Sequence, residues 1–390
     1  MNPFVENVQL SGIVAIRDML LKMDKPLRLE SGEPAFETPE HIKEAAIKAL
    51  RDNQTHYVNS QGIVPFREAI VQKLYKENDV TASVDEVIAV NGGMHGLYVT
   101  MQALCQSGDE VLIPTPNWTA VQWIITLAGA TPVHVPVSEK DEFRFDIAEL
   151  EKQVSPKTRA IIINSPHNPT GGMLQSKDIY ALLDFAQRHN IFVITDEAYE
   201  HIVYDGHSHY TPLSFINDFP EMKEKIIGVF TFSKSYAMTG WRLGYLVTHS
   251  KALMQSLKKL VLYSANGINS ITQWAGKAAL EGPQGFILNM RDTFQKNRDI
   301  LFEGIAGCKY LHASFKPKGA FYLFPSLKKE WLGEYHSDPE KAFSEHIINA
   351  GTLGSTPGIF FGPGGTGYIR FSYACATEMV EQAATVLKSI

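Results

Sequence analysis

Lys234 is the residue in this chain best placed to do chemistry. It sits in the run Val229-Phe230-Thr231-Phe232-Ser233-Lys234-Ser235-Tyr236-Ala237-Met238-Thr239-Gly240-Trp241-Arg242. An apolar, strand-like stretch leads into it, so the amine is expected at a strand end, partly out of water. Desolvation and neighbouring cations lower an amine's pKa and make it a usable nucleophile or base. Arg242 follows the break at Gly240 and can bind an anion close by. A buried lysine beside an anion-binding arginine suggests a Schiff base to a phosphorylated aldehyde.

Other residues could serve the same chemistry. Gly92-Gly93-Met94 lies between an apolar run and a helical pattern. Free backbone N–H groups and the helix dipole favour an anion at such a junction. Thr231 and Ser233 add hydroxyl donors, and Arg242 a charge-assisted fork. Asp196 follows the apolar run 191–194. Its carboxylate can face a ring cation, each partner favouring the charged form of the other; it can equally cap a helix starting at Glu197. Trp118, after Pro116-Asn117, offers a flat face to an electron-poor ring, although a tryptophan is as often core. Arg370 alternates with apolar residues in Tyr368-Ile369-Arg370-Phe371-Ser372-Tyr373-Ala374, and its planar fork suits a carboxylate. The loop Pro166-His167-Asn168-Pro169-Thr170-Gly171 is rich in turn residues, and its Asn168–Pro169 bond is expected to be cis. Glu200-His201, His207 and His209 match no zinc spacing, so no metal site is expected.

Elements must bring these residues together. Short apolar runs at 87–90, 110–113, 160–163, 191–194 and 226–230 alternate with helical patterns such as 176–189. This alternation predicts an α/β fold, a mainly parallel sheet flanked by helices. Gly93, Trp118, Asn168, Asp196 and Lys234 all follow strand ends, where open α/β sheets bind ligands. After about residue 282 the pattern changes: a long helix over 284–305, a strand over 320–324, a helix over 339–350, a Gly/Pro-rich loop over 354–367, a strand over 368–373 and a final helix. That reads as a smaller α+β domain. The run Gly362-Pro363-Gly364-Gly365-Thr366-Gly367 opens no helix and reads as a loop, not a nucleotide fingerprint.

Over these motifs, from Gly32-Glu33-Pro34 to Arg370, the chain resembles the class I/II aminotransferases: fold-type I, aspartate aminotransferase-like enzymes that use pyridoxal 5'-phosphate (PLP). The resemblance implies a large PLP-binding domain over 41–282 and a small domain from 1–40 and 283–390. It implies Lys234, Asp196 and Tyr199 as catalytic residues. Tyr199 and Asn168 would donate to the ring oxygen, and Asp196 would face the ring nitrogen. Gly93, Met94, Thr231, Ser233 and Arg242 would surround the phosphate, and Trp118 would cover the ring. Arg370, Gly32, Asn168 and Trp118 would meet the substrate, Arg370 taking its α-carboxylate. Tyr57 resembles a tyrosine that reaches the neighbouring subunit's phosphate, which implies a homodimer.

The expected reaction moves an amino group from an L-amino acid to a 2-oxo acid, with 2-oxoglutarate the expected acceptor. Aspartate-specific members of one subgroup carry a lysine after the Gly-Gly pair, where this chain has Met94. That favours an apolar or aromatic side chain, with aspartate still admitted. A carbon–sulfur β-lyase or synthase on the same scaffold is the alternative, because fold does not fix reaction. A non-catalytic ligand-sensing module is remote, since no extension before Ser11 is long enough for a DNA-binding region.

Bulk properties agree. The chain has 390 residues, 44% hydrophobic and 20% charged, enough for a substantial core. A formal net charge of -6 argues against nucleic acid as the main partner. Cys105, Cys308 and Cys375 are far apart with no CxxC pair, which favours a reducing, cytoplasmic setting. Neither a signal-peptide pattern nor an apolar run of about 18 residues is seen.

Overall fold

The computed structural model describes residues 3–6, 8, 12–333 and 337–390; Ser11 lies outside them. A seven-stranded sheet carries the larger part of the molecule. Its strands are β1 (Val87–Val90), β2 (Glu110–Thr115), β3 (Thr131–Pro136), β4 (Thr158–Asn164), β5 (Phe192–Asp196), β6 (Ile226–Thr231) and β7 (Gly244–Thr248). They lie in the order β1-β7-β6-β5-β4-β2-β3. Only β7 runs against its neighbours, β1 and β6; the other pairings are parallel. Helices cover the faces, with Gly92–Leu104 on β6 and β7 and Ser176–Arg188 on β5. Strands covered on both faces read as unbroken apolar runs, which is why β1 and most of β4 are buried along their length. Each fully buried Val or Ile there contributes about 1.5–3 kcal/mol.

The main core spans Ile42 to Ile287. A second core joins Leu27 and Leu29 to residues between Met290 and Leu387, and takes in Tyr199 and Tyr204. It is organised by the helices Gly285–Ala306 and Thr377–Ser389, which pack on each other. Beside them lie a strand pair, β8 (Leu311–His312) with β10 (Ser326–Leu327), and a small sheet of β9 (Tyr322–Leu323), β11 (Thr356–Pro357) and β12 (Ile369–Ser372) in the order β11-β12-β9.

Two strands of the main sheet were not expected from the sequence. β3 contains Pro132 and Pro136, which obscure a strand but are tolerated at the sheet's edge. β7 follows β6 too closely for a helical crossover, and its antiparallel direction removes the need for one. The run 320–324 forms a strand only at Tyr322–Leu323, because Ala320 has a φ of 56° that breaks the extended backbone.

Candidate active site

The strand ends converge as the alternation predicts. The C-terminal ends of β1, β4, β5 and β6 point to one edge of the sheet. Because β7 is reversed, its first residue, Gly244, pairs with Val90 and Thr231 at that same edge. The link between β6 and β7 therefore delivers both Lys234 and Arg242 there. A cavity of about 260 Å³ opens at this edge. Gly32, Gly93, Met94, Trp118, Asn168 and Asp196 line it, together with Tyr199, Thr231, Ser233, Lys234, Arg242 and Arg370. Every residue expected at the site is in its wall except Tyr57, which is 89% exposed beside residues 265–271. The cavity also has three liners absent from the expected set: Asn164, Ala198 and Tyr322.

At the centre, the Lys234 ammonium donates to the Gly32 carbonyl at 2.7 Å. Burial is the chief influence on this amine and pulls it down to about 8, with Glu33 opposing and Arg370 reinforcing. Burial likewise pushes the Asp196 carboxyl up to about 7, against the Ala198 N–H that donates to its Oδ1 at 3.2 Å. No helix begins at Glu197; the chain turns there instead. Asn164, at the end of β4, lies in register with Asp196. Its Nδ2 donates to the Asp196 carbonyl at 2.9 Å and its Oδ1 accepts the Asn168 N–H at 2.9 Å. One amide thus ties the Asp196 strand end to the Asn168 loop, whose Asn168–Pro169 bond is cis.

Arg370 enters from β12. Its guanidinium donates to Asn168 Oδ1 at 3.1 Å and to the Glu30 carbonyl at 2.8 Å. Its Nε is buried with no hydrogen-bond partner among the described residues, and the planar fork suits a carboxylate. The Tyr199 hydroxyl lies 2.9 Å from that of Tyr322; burial raises its pKa well above the usual value, so it stays protonated and able to donate.

The far end is built for an anion. The helix Gly92–Leu104 starts there, and the Asn91 side chain does not cap it, so its first N–H groups remain available. Gly92 has a φ of 81°, and a Cβ on it would lie 2.7 Å from an Arg242 terminal nitrogen. Glycine is thus needed both for the turn and for the guanidinium's approach. Thr231 Oγ1 donates to Ser233 Oγ at 3.0 Å beside it.

Two of the histidines set aside above are engaged elsewhere. His209 bonds to Glu197, and His201 lies between Ser235 and Glu77. Among the described residues no group of His, Cys, Asp and Glu could hold a metal ion, and no helix is long and apolar enough to cross a membrane.

Comparison with known proteins gives this geometry a family. The model of aminotransferase class I and II matches residues 24–387. An aspartate aminotransferase of Pyrococcus abyssi is 37% identical over 393 residues, covering 100% of this chain and 98% of the relative. Aromatic-amino-acid aminotransferase 2 of Thermococcus litoralis is 36% identical, covering 99% and 97%. The crystal structure of an aromatic aminotransferase from Pyrococcus horikoshii superposes with a TM-score of 0.87 at 38% identity, covering 96% of this chain and 98% of that one. The cavity fits the cofactor of such enzymes: uncapped N–H groups and Arg242 suit a phosphate, a depressed lysine suits an aldehyde, and a buried carboxyl suits a pyridine nitrogen. The chain belongs to the class I and II aminotransferases and is a pyridoxal-phosphate-dependent enzyme that transfers amino groups.

Proposed function

We propose that the donor is an L-amino acid with an aromatic or apolar side chain and that the acceptor is a 2-oxo acid, 2-oxoglutarate first. The cations lining the cavity carry this reading. They are Lys234, Arg242 and Arg370, and each has a task other than a side-chain carboxylate. Met94 lines the cavity at the position after the Gly-Gly pair, where aspartate-specific members of one subgroup carry a lysine. The aromatic specificity named for the Thermococcus relative supports the reading. The aspartate specificity named for the Pyrococcus abyssi relative favours a second one, in which a neighbouring subunit supplies the missing cation.

Bound PLP supplies an electron-withdrawing ring that takes up the electron pair left when the substrate's α-hydrogen departs as a proton. The rest is the work of side chains. Arg370 holds the α-carboxylate through its fork, beside Asn168 and Gly32, and so fixes which bond of Cα faces Lys234. Lys234 Nζ takes the α-proton and returns it. A pKa of about 8 leaves about one-fifth of this amine neutral near pH 7.4, against about one-thousandth for an ordinary lysine. Asp196 would face the ring nitrogen. Burial raises the pKa of its carboxyl, and a protonated ring nitrogen would favour its charged form. With the cofactor bound, Tyr199 and Asn168 would donate to the ring oxygen and Trp118 would cover the ring. The Gly93 and Met94 N–H groups, Thr231, Ser233 and Arg242 would hold the phosphate. Arg370 and Lys234 would serve the acceptor 2-oxo acid in the same roles.

The same reading takes the working form as a cytoplasmic homodimer in which the exposed Tyr57 reaches the partner's phosphate. It divides the chain into a large domain over 41–282 and a small one formed by 1–40 and 283–390. The test is a panel of amino acids mixed with the purified yellow protein, scored by bleaching and by the oxo acid released. Phenylalanine, tyrosine or leucine should bleach it at lower concentration than aspartate. The reverse order refutes the proposed preference.

A further inference from the structure

Three residues with proposed roles converge on one side chain that has none. Tyr322 is 1% exposed, lines the cavity and belongs to β9, where it pairs with Ser372 of β12. Arg370 lies two residues before Ser372, so the two side chains are diagonal neighbours on one face of the small sheet. The guanidinium carbon of Arg370 sits over the Tyr322 ring at 4.5 Å from its centre, and 4.8 Å from that of Phe361. Stacking of this kind holds a guanidinium in plane while leaving its edge free for a carboxylate. The other end of Tyr322 reaches across the cavity. Its hydroxyl is 2.9 Å from the Tyr199 hydroxyl, and a Cβ built on Gly32 would meet it at 2.7 Å. A side chain in place of Gly32, whose carbonyl receives Lys234, would have to displace the Tyr322 hydroxyl.

We propose that Tyr322 is a positioning residue for transamination, its ring orienting Arg370 for the α-carboxylate and its hydroxyl orienting Tyr199 for the ring oxygen. This rests on the roles proposed above for those two residues. The polarity of the tyrosine pair follows from counting protons. Each hydroxyl carries one. When Tyr199 gives its proton to the ring oxygen, Tyr322 is the donor in the pair. A donor behind Tyr199 polarises its O–H and makes it the stronger donor in turn. Without it, more negative charge stays on the group Tyr199 faces, and a neighbouring proton is held more tightly.

The two tasks separate by substitution in the holoenzyme. Tyr322→Phe keeps the ring and removes the hydroxyl; Tyr322→Leu removes both; Phe361→Leu removes only the second aromatic neighbour of Arg370. Two readouts besides turnover are used. One is the dissociation constant of 3-phenylpropionate, a carboxylate without an amine, measured by calorimetry. The other is the pH midpoint of the chromophore's colour change. Tyr322→Phe should bind the probe within about twofold of wild type and raise the midpoint by about half a pH unit or more. Tyr322→Leu should raise the midpoint similarly and weaken probe binding about fivefold or more. Phe361→Leu should weaken binding and leave the midpoint in place. An unmoved midpoint in Tyr322→Phe, or wild-type probe affinity in Tyr322→Leu, overturns the proposal. If Tyr322→Leu does not fold, Tyr322→Phe decides the hydroxyl's task, and Tyr322→Met, which keeps bulk without a flat ring, decides the ring's: wild-type probe affinity in it overturns that task. A wild-type holoenzyme that binds no carboxylate overturns the proposed site itself, a result visible before any variant is made.

Discussion

Stripped of cofactor and offered pyridoxal phosphate at graded pH, the protein should regain its colour at a rate set by the neutral fraction of Lys234. Only the neutral amine has a lone pair with which to attack an aldehyde. Burial brings this amine to about 8, against 10.5 for an ordinary lysine. Between pH 7.5 and 9.5 a group titrating at about 8 passes from about one-quarter neutral to nearly all neutral, so the rate should rise about fourfold and level off. A lysine titrating at 10.5 would pass from about one-thousandth to about one-tenth, a rise of roughly ninetyfold with no plateau. Asp196, pushed up to about 7 by burial, is already mostly ionised across this window and adds little to the slope. Stopped-flow absorbance gives the rates, and Lys234→Ala gives the baseline without covalent attachment. A steep rise continuing past pH 10 would refute the claim that the cavity wall desolvates this amine.

Two further outcomes follow from buried polar contacts. Asn164→Asp keeps the acceptor for the Asn168 N–H but loses the donor to the Asp196 carbonyl and sets a second carboxyl beside Asp196. It should lower kcat at least about tenfold, and the loss of a buried hydrogen bond should cost about 1–3 kcal/mol in denaturant unfolding; wild-type values in both assays would show that the bridge does not matter. Glu200 pairs with Lys73 at 2.5 Å, their side chains 9% and 3% exposed. Burial pushes the Glu200 carboxyl up, but Lys73, His201 and Asn78 outweigh it and hold it at about 2. A depressed carboxylate stabilises the fold above its unfolded pKa, near 4.5, and loses that contribution as pH falls towards 2. Glu200→Gln should therefore cost about 3 kcal/mol at pH 7, and the gap to wild type should close as pH falls from about 5 to 2. A gap that does not change with pH would place the stabilisation elsewhere.

Much of the site could be read from the sequence because its residues follow strand ends, and strand ends are marked locally by apolar runs that stop at Gly, Pro, Asn or Asp. Lys234, Asp196, Asn168 and Gly93 are legible in this way. Asn164 is hidden because its part in the site lies in its two partners, the Asp196 carbonyl and the Asn168 N–H, which no local pattern names. Tyr322 and Phe361 were hidden because their meaning lies in Arg370, which reaches them through sheet pairing and loop packing that no local pattern encodes. β7 was missed for a related reason. Its sequence, Gly-Tyr-Leu-Val-Thr, is an ordinary strand, but the alternation of strand and helix trains the eye on parallel crossovers and has no place for a reversed one.

The reversed strand has a practical meaning for anyone reshaping this enzyme. Residues 232–243 form a single strap, pinned at both ends where Thr231 meets Gly244, and the strap carries both the reactive amine and the guanidinium at the anion end. Lengthening or shortening it would move these two groups together, so it is the wrong place to retune substrate choice. Met94 stands in the first turn of the helix that follows β1, hangs from another strand, and its side chain can be exchanged while the strap keeps its length.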